Sequence, residues 1–91
     1  MALELEFFYS PYCPRCRKAR KDVRSLAAAW PAARLRYRER DVLEDLERAV
    51  AVGVLQTPAL AIDGRLIAGP VPSRKALEKL LRQRLNTEAL M

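Results

Sequence analysis

Apolar and polar positions follow two rhythms along this chain, and the changes of rhythm mark its elements. Leu3, Leu5, Phe7 and Phe8 make a short apolar run with the compactness of a buried strand. From Cys16 onward the spacing turns helical: Ala19, Val23, Leu26, Ala27 and Trp30 recur on one face, and Pro31 closes the pattern. Residues 34–41 return to a period of two. Arg34, Arg36, Arg38 and Arg40 take one side and Leu35 and Tyr37 the other, which predicts an edge strand whose arginine face meets water and discourages pairing with another chain. Asp41 and Glu44 stand at the spacing of a capping box. Leu43, Leu46, Val50 and Val54 then trace the buried stripe of a second helix, expected to end near Gly53.

The last third of the chain opens with Thr57-Pro58 leading into the apolar run Ala59 to Ile62. Pro58 cannot donate to a ladder, so it belongs at the first strand position with an ordinary trans bond, and it leaves the Thr57 backbone free to bond something outside the sheet. Asp63-Gly64 is a strong two-residue hairpin signal and predicts a return strand from Arg65 to Ala68. Gly69-Pro70-Val71-Pro72 is turn-rich. Ser73 can cap a third helix with a stripe of Leu77, Leu80, Leu81 and Leu85, its late cations Lys79, Arg82 and Arg84 suiting the helix dipole. Asn86 is the expected stop, with residues 87–91 fraying. The order β, α, β, α, β, β, α predicts an α/β fold: a right-handed parallel crossover, an antiparallel hairpin, and a four-stranded mixed sheet flanked by three helices.

Composition narrows the classes. Ninety-one residues, 51% hydrophobic and 31% charged, describe one globular domain spanning residues 1–91 with a single core. The apolar runs are too short to span a bilayer. The acidic start Met1-Ala2-Leu3-Glu4-Leu5-Glu6 lacks the basic region and cleavage site of a secretory signal, so no membrane role and a cytoplasmic location are expected. The net charge of +6 favours acidic partners. Its cations are nevertheless spread over three elements, and Tyr37 is the one aromatic within the arginine run, which favours a solvated face over nucleic-acid binding.

The chemistry concentrates in Tyr12-Cys13-Pro14-Arg15-Cys16, where the chain's two cysteines meet the first strand-to-helix junction. Pro14 suits the first helical position. Cys13 then faces the free N–H groups and positive pole of the helix, with Arg15, Arg17 and Lys18 nearby, all of which favour its thiolate. Cys16 lies one turn deeper and stays a thiol. An exposed thiolate beside a second thiol is what disulfide exchange requires. Half of a zinc site or a pair of small core residues are the alternatives, although the absence of histidine would oblige a tetrahedral site to recruit carboxylates or a second chain. In a reducing compartment a dithiol of this spacing favours a catalytic or sensing role.

Tyr12-Cys13-Pro14-Arg15-Cys16, Gly53-Val54 leading into Thr57-Pro58-Ala59-Leu60, the Asp63-Gly64 hairpin and Gly69 before the last helix span nearly the whole chain. Together they resemble the thioredoxin/glutaredoxin superfamily in its minimal form, closest to the small glutaredoxin-like redox-active disulfide proteins. The resemblance implies a minimal thioredoxin fold and a thiol–disulfide oxidoreductase acting on protein or small-molecule disulfides. Cys13 would be the nucleophile, Cys16 the resolving thiol, and Pro58 a cis-proline facing them with Thr57 beside it. Tyr12, Arg15, Thr57 and Pro58 are the candidate substrate-binding residues. The implied partners are protein disulfides and a reductase or thiol donor, with the chain a monomer. No cofactor is implied. Glutathione stays open as a co-substrate, because Gly69-Pro70-Val71-Pro72-Ser73 replaces the Gly-Gly pair of glutathione-using relatives. Tyr12 and Phe7 stand where thioredoxins usually carry a Trp and a buried Asp. A metal or iron–sulfur carrier and a non-catalytic binding module on the same fold are the alternative functions.

Overall fold

A computed structural model describes residues 2–67 and 71–90, with the side chains of residues 86–90 left out of the description. Seven elements follow in the order β1 (Leu3–Tyr9), α1 (Pro14–Ala27), β2 (Leu35–Asp41), α2 (Leu46–Val52), β3 (Ala59–Ile62), β4 (Arg65–Leu66) and α3 (Arg74–Leu90). The sheet order is β2-β1-β3-β4. β1 runs parallel to β2, from Leu3 opposite Leu35 to Tyr9 opposite Asp41, and antiparallel to β3, while β3 and β4 form the hairpin. The four-stranded mixed sheet with three helices agrees with the pattern of apolar positions, and β2 is an edge strand.

Alternation along β1 divides the interior in two. Leu3, Leu5 and Phe7 point to the side covered by α1 and α3, where they pack with Val23, Leu26, Leu60, Ile62, Leu77, Leu81 and Leu85. Each of these large side chains contributes about 1.5–3 kcal/mol by leaving water. The opposite face, beneath α2, is smaller: Phe8 packs with Ala49, Ala59 and Ala61. Asp63 (φ 51°) and Gly64 (φ 80°) both adopt left-handed backbone, which is what a tight two-residue hairpin turn needs. The Ser73 hydroxyl accepts the Ala76 N–H at 3.2 Å, capping α3.

Several boundaries differ from the expectations. α1 stops at Ala27, so Trp30 lies past its end, though it still packs on the larger core. The capping box at Asp41 does not form. Asp41 Oδ1 instead accepts the Leu43 N–H in a local turn, and α2 begins only at Leu46 after Asp45. α3 does not stop at Asn86 but continues to Leu90, since Thr87, Glu88 and Ala89 contain no helix breaker. The return strand is two residues long; Ile67 N–H still pairs with the Leu60 carbonyl at 2.8 Å, whereas Ala68 and the Gly69-Pro70 turn lie outside the described residues.

The largest difference concerns the face that α2 buries. Leu43, Leu46 and Val50, expected as its buried stripe, are 62%, 59% and 70% exposed. The inward positions are Asp45, Arg48, Ala49 and Val52, an equally helical i, i+3, i+4, i+7 set. Glu6 explains why this phase prevails. It sits on the α2 side of β1, only 2% exposed, and a buried carboxylate must be paired. Arg48 binds it with two hydrogen bonds, Nη2 to Oε1 at 2.6 Å and Nε to Oε2 at 3.0 Å, and Arg40 Nε adds a third contact. Turning Arg48 inward turns Leu46 and Val50 outward, while the small Ala49 lets the helix approach the sheet. Arg40 consequently leaves the water-facing arginine row, of which Arg36 and Arg38 remain exposed. Leu46→Gln and Val50→Gln are therefore expected to change stability by no more than about 0.5 kcal/mol each, read as denaturant midpoints. A loss of about 2 kcal/mol or more would mean that these side chains are core residues.

Candidate active site

Cys13 is the N-cap of α1, with extended backbone (φ −99°, ψ 108°), and Pro14 fills the first helical position. Its N–H donates to the Ser10 carbonyl at 3.1 Å, fixing the turn that presents the thiol. Both cysteines are free thiols; Cys13 is half-buried and Cys16 is buried, one turn into the helix. The two cysteines line one cavity, and the Cys13 thiol donates to the Thr57 carbonyl across 3.7 Å. The Thr57–Pro58 peptide is cis.

The environments of the thiols act in opposite directions. For Cys13, desolvation pushes the pKa up, but hydrogen bonds from the Cys16 thiol, the Thr57 side chain and the backbone N–H groups of Cys16 and Arg15 outweigh it, leaving the pKa below the ordinary thiol value. For Cys16, burial comes first and raises the pKa, and the hydrogen bond and charge of Cys13 raise it further. The pair titrates as a unit, so the thiolate that forms first resides on Cys13. Helix geometry produces this difference directly: the cap residue meets unpaired N–H groups, whereas a residue three positions later is packed against the sheet.

The structure brings the sequence-predicted residues together. Tyr12, Cys13, Arg15 and Thr57, with Ser10 and Pro14, line one recess of about 350 Å3. Tyr12 is 85% exposed and forms an aromatic rim beside the thiol. Pro58 lies on the adjoining groove of about 490 Å3, which runs from Thr57 between α1 and the start of α3 and touches Arg15, Lys18, Val71, Pro72 and Leu77. Three neighbours were not singled out from the sequence. Ser10 holds Cys13 through its carbonyl, and Tyr9 and Arg20 lie beyond the cysteines, with the Arg20 guanidinium 3.9 Å above the Tyr9 ring. Arg20 follows Cys16 by four residues, a same-face helical spacing that could have revealed it. Among the described residues no group of three or more His, Cys, Asp and Glu side chains could hold a metal ion, and no helix is long and apolar enough to cross a membrane.

Known proteins resemble the chain in sequence and in fold. The thioredoxin domain family matches residues 3–82. A thioredoxin of Methanocaldococcus jannaschii is 29% identical over 83 residues, covering 91% of this chain and 96% of the relative. A mutant thioredoxin from Halobacterium salinarum superposes with a TM-score of 0.73 at 26% identity, covering 89% of this chain and 73% of that one. Oxidized mitochondrial thioredoxin 3 from Saccharomyces cerevisiae gives 0.72 at 25% identity, with 89% and 77% covered. With a half-buried cysteine capping α1, a buried cysteine one turn on and Thr57-Pro58 beside them, the chain belongs to the thioredoxin domain family of the thioredoxin/glutaredoxin superfamily and is a thiol–disulfide oxidoreductase.

Proposed function

We propose that Cys13 is the attacking thiolate, Cys16 the resolving thiol, and extended protein segments carrying a disulfide the principal substrates. The placement of Cys13 as the cap of α1 beside the Thr57 carbonyl, with Cys16 buried one turn on, is the observation that carries this reading, and the opposite displacement of the two thiol pKa values agrees with it. In the reductive direction Cys13 Sγ attacks one substrate sulfur, the substrate disulfide breaks, and one substrate thiolate departs with the electron pair. Cys16 then gives up its proton to solvent and attacks Cys13 Sγ, so that the second substrate thiolate leaves and the protein retains a Cys13–Cys16 disulfide. Both electrons come from the thiol pair and no cofactor is needed.

Substrate placement falls to Thr57. Its carbonyl lies beside Cys13 and outside the β1–β3 ladder, so an extended segment can bond to it as an added strand. Tyr12 and Arg15 border the same recess and would contact residues flanking the target cysteine, while Pro58 shapes the adjoining groove. A dithiol donor or reductase would restore the reduced state, and the protein would work as a cytoplasmic monomer.

The test is the alkylation rate against pH in each single Cys→Ser variant. The thiol remaining in Cys16→Ser should titrate below the ordinary value of about 8.5, and that in Cys13→Ser above it. Serine keeps a hydroxyl donor at either position but removes the second titrating thiol, which narrows the gap without reversing its order. Coincident curves would remove the assignment of nucleophile and resolver.

A further inference from the structure

Among the described residues the sheet ends at β2, whose outer edge has no neighbouring strand. Two bonds show which backbone groups lie there. At the ends of the parallel ladder the Leu3 N–H donates to the Arg34 carbonyl and the Val42 N–H to the Tyr9 carbonyl, both at 2.9 Å. Alternate residues of a strand bond to the same neighbour, so Arg36, Arg38 and Arg40 turn their N–H and C=O to β1, and Tyr37 and Glu39 turn theirs outward. The next groups along that edge are used locally: the Leu35 N–H donates to the Pro31 carbonyl at 3.0 Å, and the Asp41 carbonyl accepts the Asp45 N–H at 2.8 Å. Tyr37 and Glu39 therefore form an open ladder. The side chains around it are basic on both faces of the sheet. Arg36 and Arg38 are exposed and make no hydrogen bond or ion pair among the described residues. Glu4 stands opposite Arg36 without pairing with it, and Glu6, opposite Arg38, is taken by Arg48 and Arg40. On the other face Glu39 is shared by Arg24, at 2.6 and 2.9 Å, and Arg20, at 3.3 Å.

From this arrangement we propose that the outer edge of β2 docks an extended acidic segment of a partner protein, which joins the sheet as an added strand. The segment bonds the N–H and C=O groups of Tyr37 and Glu39. Carboxylates at alternate positions then lie beside Arg36 and Arg38, and the residue between them, opposite Tyr37, is apolar, since the Tyr37 ring packs at the margin of the larger core. A second copy of the chain does not fit: two β2 strands side by side would set Arg36 and Arg38 against their own counterparts. Single-stranded nucleic acid would match the charge but leave the ladder unpaired, and it would meet one aromatic ring there, Tyr37, half-buried and bonded to Glu39 at 3.0 Å. β2 and β3 flank β1 on opposite sides, so a docked segment leaves the recess at Thr57 open. The net charge of +6 thereby gains a place in the fold where it recruits a partner without covering the thiols.

The probe is a labelled, end-blocked peptide of alternating glutamate and valine, its binding followed by fluorescence anisotropy at low salt and located by amide hydrogen exchange. At saturation the Tyr37 and Glu39 amides should exchange about tenfold more slowly or better, as groups entering a ladder do. Arg36→Gln and Arg38→Gln should each weaken the complex by about threefold, and about 1 M salt should weaken it by about tenfold or more. Lys75→Gln combined with Lys79→Gln removes two exposed charges from α3 and should change binding by less than about twofold. A peptide of alternating glutamate and proline keeps the charge but loses the donors that face Tyr37, and should bind about tenfold more weakly or worse. Equal binding of the two acidic peptides, an equal loss from the α3 variant, or protection at Thr57 and Ala59 in place of Tyr37 and Glu39 each overturns the proposal. So does tighter binding of an oligothymidylate, or no binding of the glutamate–valine peptide at all. None of these readouts uses disulfide exchange, so the oxidoreductase reading stands or falls separately.

Discussion

Replacing Cys13 with Ser is expected to reduce turnover of a protein disulfide such as insulin by at least about three orders of magnitude, because the hydroxyl is not ionised at neutral pH and the remaining thiol, Cys16, is buried with its pKa pushed up. Cys16→Ser should behave differently. Attack survives, since Cys13 keeps its cap position and the hydrogen bonds from the Thr57 side chain and the backbone N–H groups, but the resolving step is lost. A mixed disulfide between Cys13 and the substrate should therefore accumulate and remain until an external thiol at millimolar concentration does what Cys16 did internally. Mass spectrometry after quenching with acid distinguishes the two variants: a substrate adduct on Cys16→Ser, none on Cys13→Ser. Adducts of equal yield on both variants, or full turnover by Cys16→Ser, would contradict the division of labour.

Glu6→Gln should be strongly destabilising although it lies outside the larger core, costing about 2–4 kcal/mol at pH 7. That is a large part of the roughly 5–15 kcal/mol by which small domains are stable. The Arg48 hydrogen bonds are the chief cause holding the Glu6 pKa below the usual carboxylate value, with burial opposing and Arg40 assisting. A carboxylate whose folded pKa is depressed binds its proton more readily in the unfolded chain. Its contribution is therefore complete above the unfolded value of about 4.3 and disappears as pH falls through the lower folded pKa. The gap between wild type and Glu6→Gln should thus be wide at pH 7 and should narrow progressively below about pH 4, as followed by urea midpoints. Arg48→Met should cost less than Glu6→Gln, since Arg40 still pairs the carboxylate. A gap independent of pH would assign the loss to shape rather than charge.

The reactive end of the fold was legible because local rules agree there. Cys13-Pro14 announces a helix start, Asp63-Gly64 announces a hairpin, and the stripe of Leu77, Leu81 and Leu85 has one buried phase. The α2 region was not legible in the same way. Two helical phases fit its sequence, and hydrophobicity alone favours the one containing Leu46 and Val50. The deciding term is a long-range pair between Glu6 and Arg48, forty-two positions apart, which no local period encodes. Asp41 misled for a related reason: its carboxylate satisfies a nearby N–H equally well in a turn as in a cap. Arg17 was placed beside Cys13 by its position in the helix, whereas Tyr9 and Arg20 were not singled out, and the fold sets both beside the thiols.

The unequal covering of the sheet has a dynamic meaning. α2 has seven residues, too few to persist alone, and it is held by Ala49, a half-buried Val52 and an ion pair, whereas α1 and α3 grip the other face through large aliphatic side chains. Local opening is therefore expected to begin at α2, wetting Phe8, Ala59 and Ala61 while Leu60 and Ile62 stay packed beneath α1 and α3. Because β3 remains clamped from that side, Thr57 at its head keeps its register with Cys13 through such excursions. Amide protons of α2 are therefore expected to exchange with solvent sooner than those of β3, read by hydrogen exchange.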